Sequence, residues 1–196
     1  MAIVDDQHDI DLVLKGDTNA FAALVDRYKD MVYTLSLRMT RNREEAEEVS
    51  QDTFIKVYRS LAKFKGESKF STWLYKVAYN TCLDRLKKNK REPYIIAIDE
   101  YSEQQVEALS HVFDSIEDKE RKQMIQECLH LLPAEDSFLL TLYYFEEQSV
   151  KEISKIIGVT SNHVKIKLFR SRKKLAAVLK GQLEPEIISH YESERR

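Results

Sequence analysis

The stretch Ser149-Val150-Lys151-Glu152-Ile153-Ser154-Lys155-Ile156-Ile157-Gly158-Val159-Thr160 decides how this chain is read. It predicts a short helix, a turn opened by Gly158, and a second, basic helix from Ser161 to about Lys180, where Gly181 ends it. Gly158 suits the positive φ that such a turn needs, and Thr160 or Ser161 supplies an N-cap. In the second helix Val164, Leu168, Ser171 and Leu175 repeat at helical spacing and define one buried seam. The opposite side carries Asn162, His163, Lys165, Ile166, Lys167 and Arg170. This is the helix-turn-helix layout, in which polar residues early in the second helix reach base edges while cations reach phosphates. An ordinary amphipathic surface helix is the plainer alternative.

Composition agrees with helices throughout. The chain has 196 residues, of which only 4 are Gly and 3 are Pro, too few for the turns of a sandwich or a barrel. Apolar residues make up 43%, enough for a core. The two cysteines, Cys82 and Cys128, cannot build a disulfide framework or a four-cysteine zinc site. The N-terminus is acidic, with no apolar stretch of signal-peptide type, and no run is long enough to span a bilayer. A soluble, cytoplasmic protein without membrane insertion is expected.

The net charge of −2 conceals a strong segregation. Residues 63–91 sum to +7, residues 92–136 to −9 and residues 151–180 to +8. Two basic blocks at the ends of two helical units, with an acidic connector between, are the footprint of a polyanion site. For either block alone, a solvated helix face is the default reading.

Working back toward the N-terminus, residues 9–15 predict a short helix stopped by Gly16, and Asp17 or Thr18 caps a second. In that second helix Phe21, Leu24, Val25, Tyr28, Val32, Leu35 and Met39 keep a three-to-four spacing. Asn42 caps a third helix to about Leu61, with acids in its first turns that favour the helix dipole. A loop around Gly66 leads to a fourth helix, from Ser71 or an adjacent residue to about Lys90. Residues 92–114 lack periodicity. A helix from about Ser115 to Leu132 and another opened by Pro133 complete the second unit. The expected fold is all-α: two small helical domains, 9–91 and 117–180, joined by an acidic flexible linker, 92–116, with a charged tail, 181–196.

Two further surfaces stand out. Phe64, Phe70, Trp73, Tyr75 and Tyr79 lie among Lys63, Lys65, Lys69, Lys76, Lys87 and Lys88. Aromatics interleaved with cations suit unstacked single-stranded bases, although core packing explains the same aromatics. On the third helix, Ala46, Ser50, Thr53, Val57 and Leu61 share one face, with Phe54 beside them. Glu44, Glu48, Gln51, Asp52, Ile55 and Arg59 lie opposite, and such a face is either plain solvated surface or a docking surface.

Catalytic patterns are missing. His8, His111, His130, His163 and His190 are scattered, and neither His-Glu-x-x-His nor Cys-x-x-Cys occurs. Glu127 and His130 form one i, i+3 pair where a di-metal bundle needs two. Neither a Walker loop nor a nucleophile elbow is present. No enzyme, no cofactor, no metal and no small-molecule substrate are expected.

Taken together, Ala46 through Tyr58, Phe70-Ser71-Thr72-Trp73-Leu74 and Asn80 through Lys88 resemble region two of bacterial RNA polymerase sigma factors. Leu131-Leu132-Pro133 through Phe145, and the segment Val164 through Leu175, resemble region four. Two regions with only a short connector resemble the extracytoplasmic-function subfamily. The resemblance implies a transcription initiation factor that binds core RNA polymerase, directs it to promoter DNA and assists melting, and that an anti-sigma factor holds in check. It implies core-polymerase contacts for Glu48, Gln51, Asp52, Ile55 and Arg59. It implies that Lys65, Ser68, Lys69, Lys76 and Asn80 take the non-template strand of the minus-ten element, with a flipped base trapped in a region-two pocket. Ser161, Asn162, His163, Lys165, Lys167 and Arg170 would read the minus-thirty-five duplex. The sequence departs from the family at Ile166, where a small residue is usual, and the tail 181–196 lies outside the resemblance. A stand-alone helix-turn-helix regulator, dimeric on duplex DNA, would leave the acidic face and the aromatic-cationic helix without a purpose. A helical-bundle enzyme lacks a ligand set.

Overall fold

The computed structural model describes residues 6–89 and 119–182. All regular elements among them are helical. Helix α1 spans Asp6–Leu14, α2 Thr18–Thr40, α3 Arg43–Ser60, a 3-10 turn Leu61–Lys63, and α4 Phe70–Lys88. Helices α5 (Lys119–Leu131), α6 (Ala134–Tyr144), α7 (Val150–Ile157) and α8 (Ser161–Gln182) follow. The expected linker and most of the tail lie outside the described residues.

Local chemistry sets most boundaries. The Asp17 carboxylate accepts from the Asn19 and Ala20 amides at the start of α2. Arg41 ends α2 in the left-handed region at φ 56°, and the Asn42 side chain then caps α3 by accepting from the Glu45 amide. Two ends differ from expectation. Helix α1 begins at Asp6 rather than residue 9, because Arg27 and the Tyr28 hydroxyl both bond the Asp6 carboxylate and tie down that first turn. Helix α8 continues through Gly181 to Gln182, since one glycine costs a helix only about 1 kcal/mol.

The described helices fall into two compact units, one of α1–α4 with α7, the other of α5, α6 and α8. In the first, Leu24, Val32, Val57, Leu61, Phe70, Leu74 and Ala78 form the centre of the core. Phe64 and Trp73 pack against it half-buried, whereas Tyr75 and Tyr79 are buried. Of the aromatics that sequence alone leaves open, Phe70, Tyr75 and Tyr79 are therefore core. Helix α7 lies along α4, an arrangement without local sequence sign. Thr72 Oγ1 donates to Gln148 Oε1 at 3.4 Å, and Lys155 Nζ donates to the Glu67 carbonyl at 3.0 Å. The second unit buries Leu129, Leu132, Phe138, Leu140, Leu142, Val164 and Leu168.

Cys82 is fully buried in α4, and burial pushes its thiol up to about 12. The thiolate is the reactive form. Native protein at pH 8 should therefore leave Cys82 unalkylated by iodoacetamide, and urea-unfolded protein should react completely, as peptide mass spectrometry would show.

Candidate nucleic-acid interface

The short helix α7 opens with a capping box. Ser149 Oγ accepts from the Glu152 amide at 3.2 Å, and Glu152 Oε2 accepts from the Ser149 amide at 2.9 Å and its hydroxyl at 2.7 Å. Those bonds, the hydroxyl's first and the amide's next, hold the Glu152 carboxyl below the usual carboxylate range. Stability from a depressed acid is present above its unfolded value, near pH 4.3, and is lost as pH falls through the folded value. Ser149→Ala should cost about 1 kcal/mol in thermal unfolding at pH 7. The deficit should shrink below about pH 4, where the parent also loses its ionised cap.

Gly158 ends α7 at φ 73°, the left-handed conformation expected of it. In α8 the four seam residues Val164, Leu168, Ser171 and Leu175 are all buried. Ser171 Oγ donates to Asp136 at 2.5 Å and Lys174 pairs with the same carboxylate at 2.6 Å, so α6 fixes the helix's inner side. Asn162, His163, Lys165 and Arg170 are exposed, Ser161 is half-buried, and Ile166 is 49% exposed between the cations. Lys167 is half-buried and pairs with Glu135 at 3.2 Å, an involvement the sequence did not announce. Arg172 was not among the expected residues. Its guanidinium lies over the Tyr143 and Tyr144 rings, 5.2 and 5.4 Å from their centres, and it belongs to packing.

On α4 Lys76 and Asn80 are exposed one turn apart, on the same face. The preceding loop turns at Gly66, whose φ of 70° favours glycine, with Lys65 and Lys69 exposed and Ser68 half-buried. Lys69 Nζ lies 3.4 Å from Glu152 Oε1, and with the lysine exposed this pair holds it only weakly. Between this loop and the start of α1 is a cleft of about 410 Å³, lined by Gln7, Tyr28, Phe64, Gly66, Lys69 and Phe70 among others. The Phe64 and Phe70 rings meet edge to face at 5.7 Å, and Tyr28 meets Phe70 at 5.5 Å. The cleft is of ligand-pocket size, aromatic inside and cationic at the loop rim.

On α3, Ala46, Val49, Thr53 and Val57 are buried, and Glu48, Gln51, Asp52, Ile55 and Arg59 are exposed together. Two further residues join this face. Tyr58, 48% exposed, places its ring 4.9 Å from Phe21 and extends the apolar patch of Ile55, itself 47% exposed; its i+3 spacing from Ile55 was a usable sign. Arg85 on α4 reaches Glu48 at 2.6 Å and Asp52 at 4.0 Å, which no spacing along one helix reveals. Among the described residues no His, Cys, Asp and Glu group could hold a metal, and no helix is long and apolar enough to cross a membrane.

An all-helical protein with a short capped helix, a glycine turn and an exposed cationic helix has the layout of a DNA-binding protein. Comparison with known proteins makes this specific. The family model for sigma-70 region 2 matches residues 24–92, and that for sigma-70 region 4 matches residues 122–175. The chain is 35% identical over 175 residues to the ECF RNA polymerase sigma factor SigW of Bacillus subtilis, covering 86% of this chain and 93% of that protein. It is 31% identical over 185 residues to the RNA polymerase sigma-H factor of Pseudomonas aeruginosa, covering 91% and 95%. Its fold is similar to CnrH, solved in complex with the cytosolic domain of CnrY, with a TM-score of 0.64 at 20% identity over 91% of this chain and 99% of that one. It is also similar to the sigma factor RpoE of Bartonella quintana, solved with the anti-sigma factor NepR, at TM-score 0.59 and 19% identity over 82% and 96%.

The chain belongs to the extracytoplasmic-function sigma factors of the sigma-70 family. It is a transcription initiation factor that binds core RNA polymerase and directs it to promoter DNA.

Proposed function

We propose that this sigma factor opens promoters as well as locating them, and that the cleft beside Gly66 is where it does so. The observation that carries this reading is the cleft itself, with aromatic rings and Lys69 in its lining and Lys65 exposed on the same loop. Extruding a base costs a few kcal/mol, and stacking on aromatic surface offsets a cost of that size. Lys76 and Asn80 continue the exposed track along α4 and suit the backbone of the same strand.

The remaining roles follow the same division. Residues 9–91 supply the polymerase and minus-ten contacts, 117–180 the minus-thirty-five contacts and 92–116 the linker between them, although α7 within 117–180 packs with the first unit. Glu48, Gln51, Asp52, Ile55 and Arg59 dock on core polymerase; Ser161, Asn162, His163, Lys165, Lys167 and Arg170 face the minus-thirty-five duplex. Each DNA contact is weak alone and gains from tethering on one polymerase. The chain performs no catalysis itself and acts in the cytoplasm, where its polymerase works. An anti-sigma factor restrains it; the structural neighbour RpoE of Bartonella quintana was solved in complex with the anti-sigma factor NepR.

Run-off transcription with the purified chain and core polymerase, combined with permanganate footprinting of unpaired thymines, tests the whole reading. Promoter-specific transcripts with unpaired thymines in the minus-ten region are expected. Specific binding without unpaired thymines would remove the melting role, and transcription independent of the chain would remove the reading entirely.

A further inference from the structure

Helix α8 carries one large apolar side chain where the fold gains nothing from it. Ile166 is 49% exposed, and among the described residues of α8 no other large apolar side chain is exposed. Single exposed isoleucines are ordinary on protein surfaces, but the position of this one is not. The buried seam of Val164, Leu168, Ser171 and Leu175 fixes which way α8 faces. At roughly 100° per residue, Ile166 falls about 170° from the mean direction of that seam. Within the first two turns it is the residue that points most directly away from the core, so it goes deepest into any groove the helix enters. Asn162 and Arg170, both exposed, stand one turn before and after it on the same face. Lys165 and Lys167 flank it in sequence and project about 100° to either side, toward the groove rims where phosphates lie.

The apex of a groove-reading helix meets base edges, and isoleucine has no donor or acceptor to offer them. Of the four bases only thymine adds a methyl group to its major-groove edge. Against adenine, guanine or cytosine the same side chain displaces water from donors and acceptors and replaces none of their hydrogen bonds. Isoleucine is also stiff. Its β-branch leaves one strongly preferred rotamer in a helix, so its methyl groups are presented at little cost in side-chain entropy.

We propose that Ile166 is a specificity-determining residue of the minus-thirty-five contact, and that it selects a thymine by packing against the C5 methyl. The proposal rests on the duplex reading of α8 given above and deepens it by assigning one base position to one side chain.

The test uses holoenzyme assembled from the full chain and core polymerase. Holoenzyme first selects its best-bound duplex from a pool randomised across both promoter elements. In that duplex each thymine of the minus-thirty-five element, on either strand, is then replaced singly by deoxyuridine, which lacks only the methyl. One replacement should weaken binding by about fourfold, the expected cost of losing one buried methyl contact. In Ile166→Ala the penalty at that position should shrink to below about 1.5-fold, because the partner of the methyl is gone. Ile166→Val keeps two β-branched methyls and should retain most of the penalty. The side chain is exposed, so neither change threatens the fold. A duplex with no methyl-sensitive thymine overturns the role of Ile166 while the minus-thirty-five reading stands. So does a penalty that persists in Ile166→Ala, whether or not that variant binds more weakly throughout. If binding is indifferent to the sequence of the whole minus-thirty-five element, the duplex reading of α8 fails, and this proposal with it.

Discussion

Asp52→Arg should weaken binding to core polymerase by roughly thirtyfold or more, the expected cost of breaking a charged contact at a protein interface. Asp52 is exposed on α3 beside Gln51 and Ile55, and Arg85 approaches its carboxylate at 4.0 Å. An arginine there reverses the sign of the face and meets Arg85 with like charge. The fold should survive, because α3 is held by Ala46, Val49, Thr53 and Val57 on its opposite side. A surface change of this kind alters stability by about 0.5 kcal/mol or less. Gln51→Ala should show a smaller loss in the same direction. Arg85→Ala is the informative companion, since it removes the intramolecular partner of Glu48 and Asp52 without touching either acid. Competition for core polymerase against a labelled reference sigma factor measures all three, with circular dichroism melts as the folding control. Unchanged affinity in Asp52→Arg would show that polymerase docks elsewhere.

The acidic face also shows how far sequence reaches. Its exposure followed from periodicity, because charged positions opposite Ala46, Thr53 and Val57 have nowhere else to go. Caps were legible for the same local reason: Asp17, Asn42 and Gly158 each act within a few residues of their own position. What was not legible joins distant positions. Arg85 reaches α3 from α4, Lys167 pairs with Glu135 across 32 residues, and Gln148 meets Thr72 across 76. Such pairings depend on how helices pack, and one chain's spacing carries no record of that. The aromatics of α4 are the intermediate case. Their number announced either stacking or core, and only the packing that buries Tyr75 and Tyr79 while half-exposing Phe64 separates the two.

The two basic blocks should fail in different ways when they are disarmed. The block at 63–91 has a cleft with aromatic lining and an exposed Lys76–Asn80 track, as a single-strand binder requires. The helix at 161–182 presents polar and cationic side chains opposite a fully buried seam, as a groove binder requires. Lys76→Ala with Asn80→Ala should leave closed-complex formation nearly intact and slow strand opening. Lys167→Ala with Arg170→Ala should lower promoter occupancy and leave opening of the complexes that form largely unaltered. The structure divides this second pair unequally. Lys167 is partly engaged by Glu135, whereas Arg170 is exposed, so Arg170→Ala should account for most of the loss. If Arg170 contacts a phosphate, the salt dependence of binding should become shallower by about one unit. If it contacts a guanine edge, the loss should be confined to one base position and amount to about 1–3 kcal/mol. A template with a mismatched bubble across the minus-ten region separates the two blocks. It supplies the opened strands in advance, so it should partly rescue the Lys76 and Asn80 variant and give nothing back to the Lys167 and Arg170 variant. Equal rescue of both pairs, or of neither, would mean that capture of the opened strand and reading of the duplex are not divided between these two surfaces.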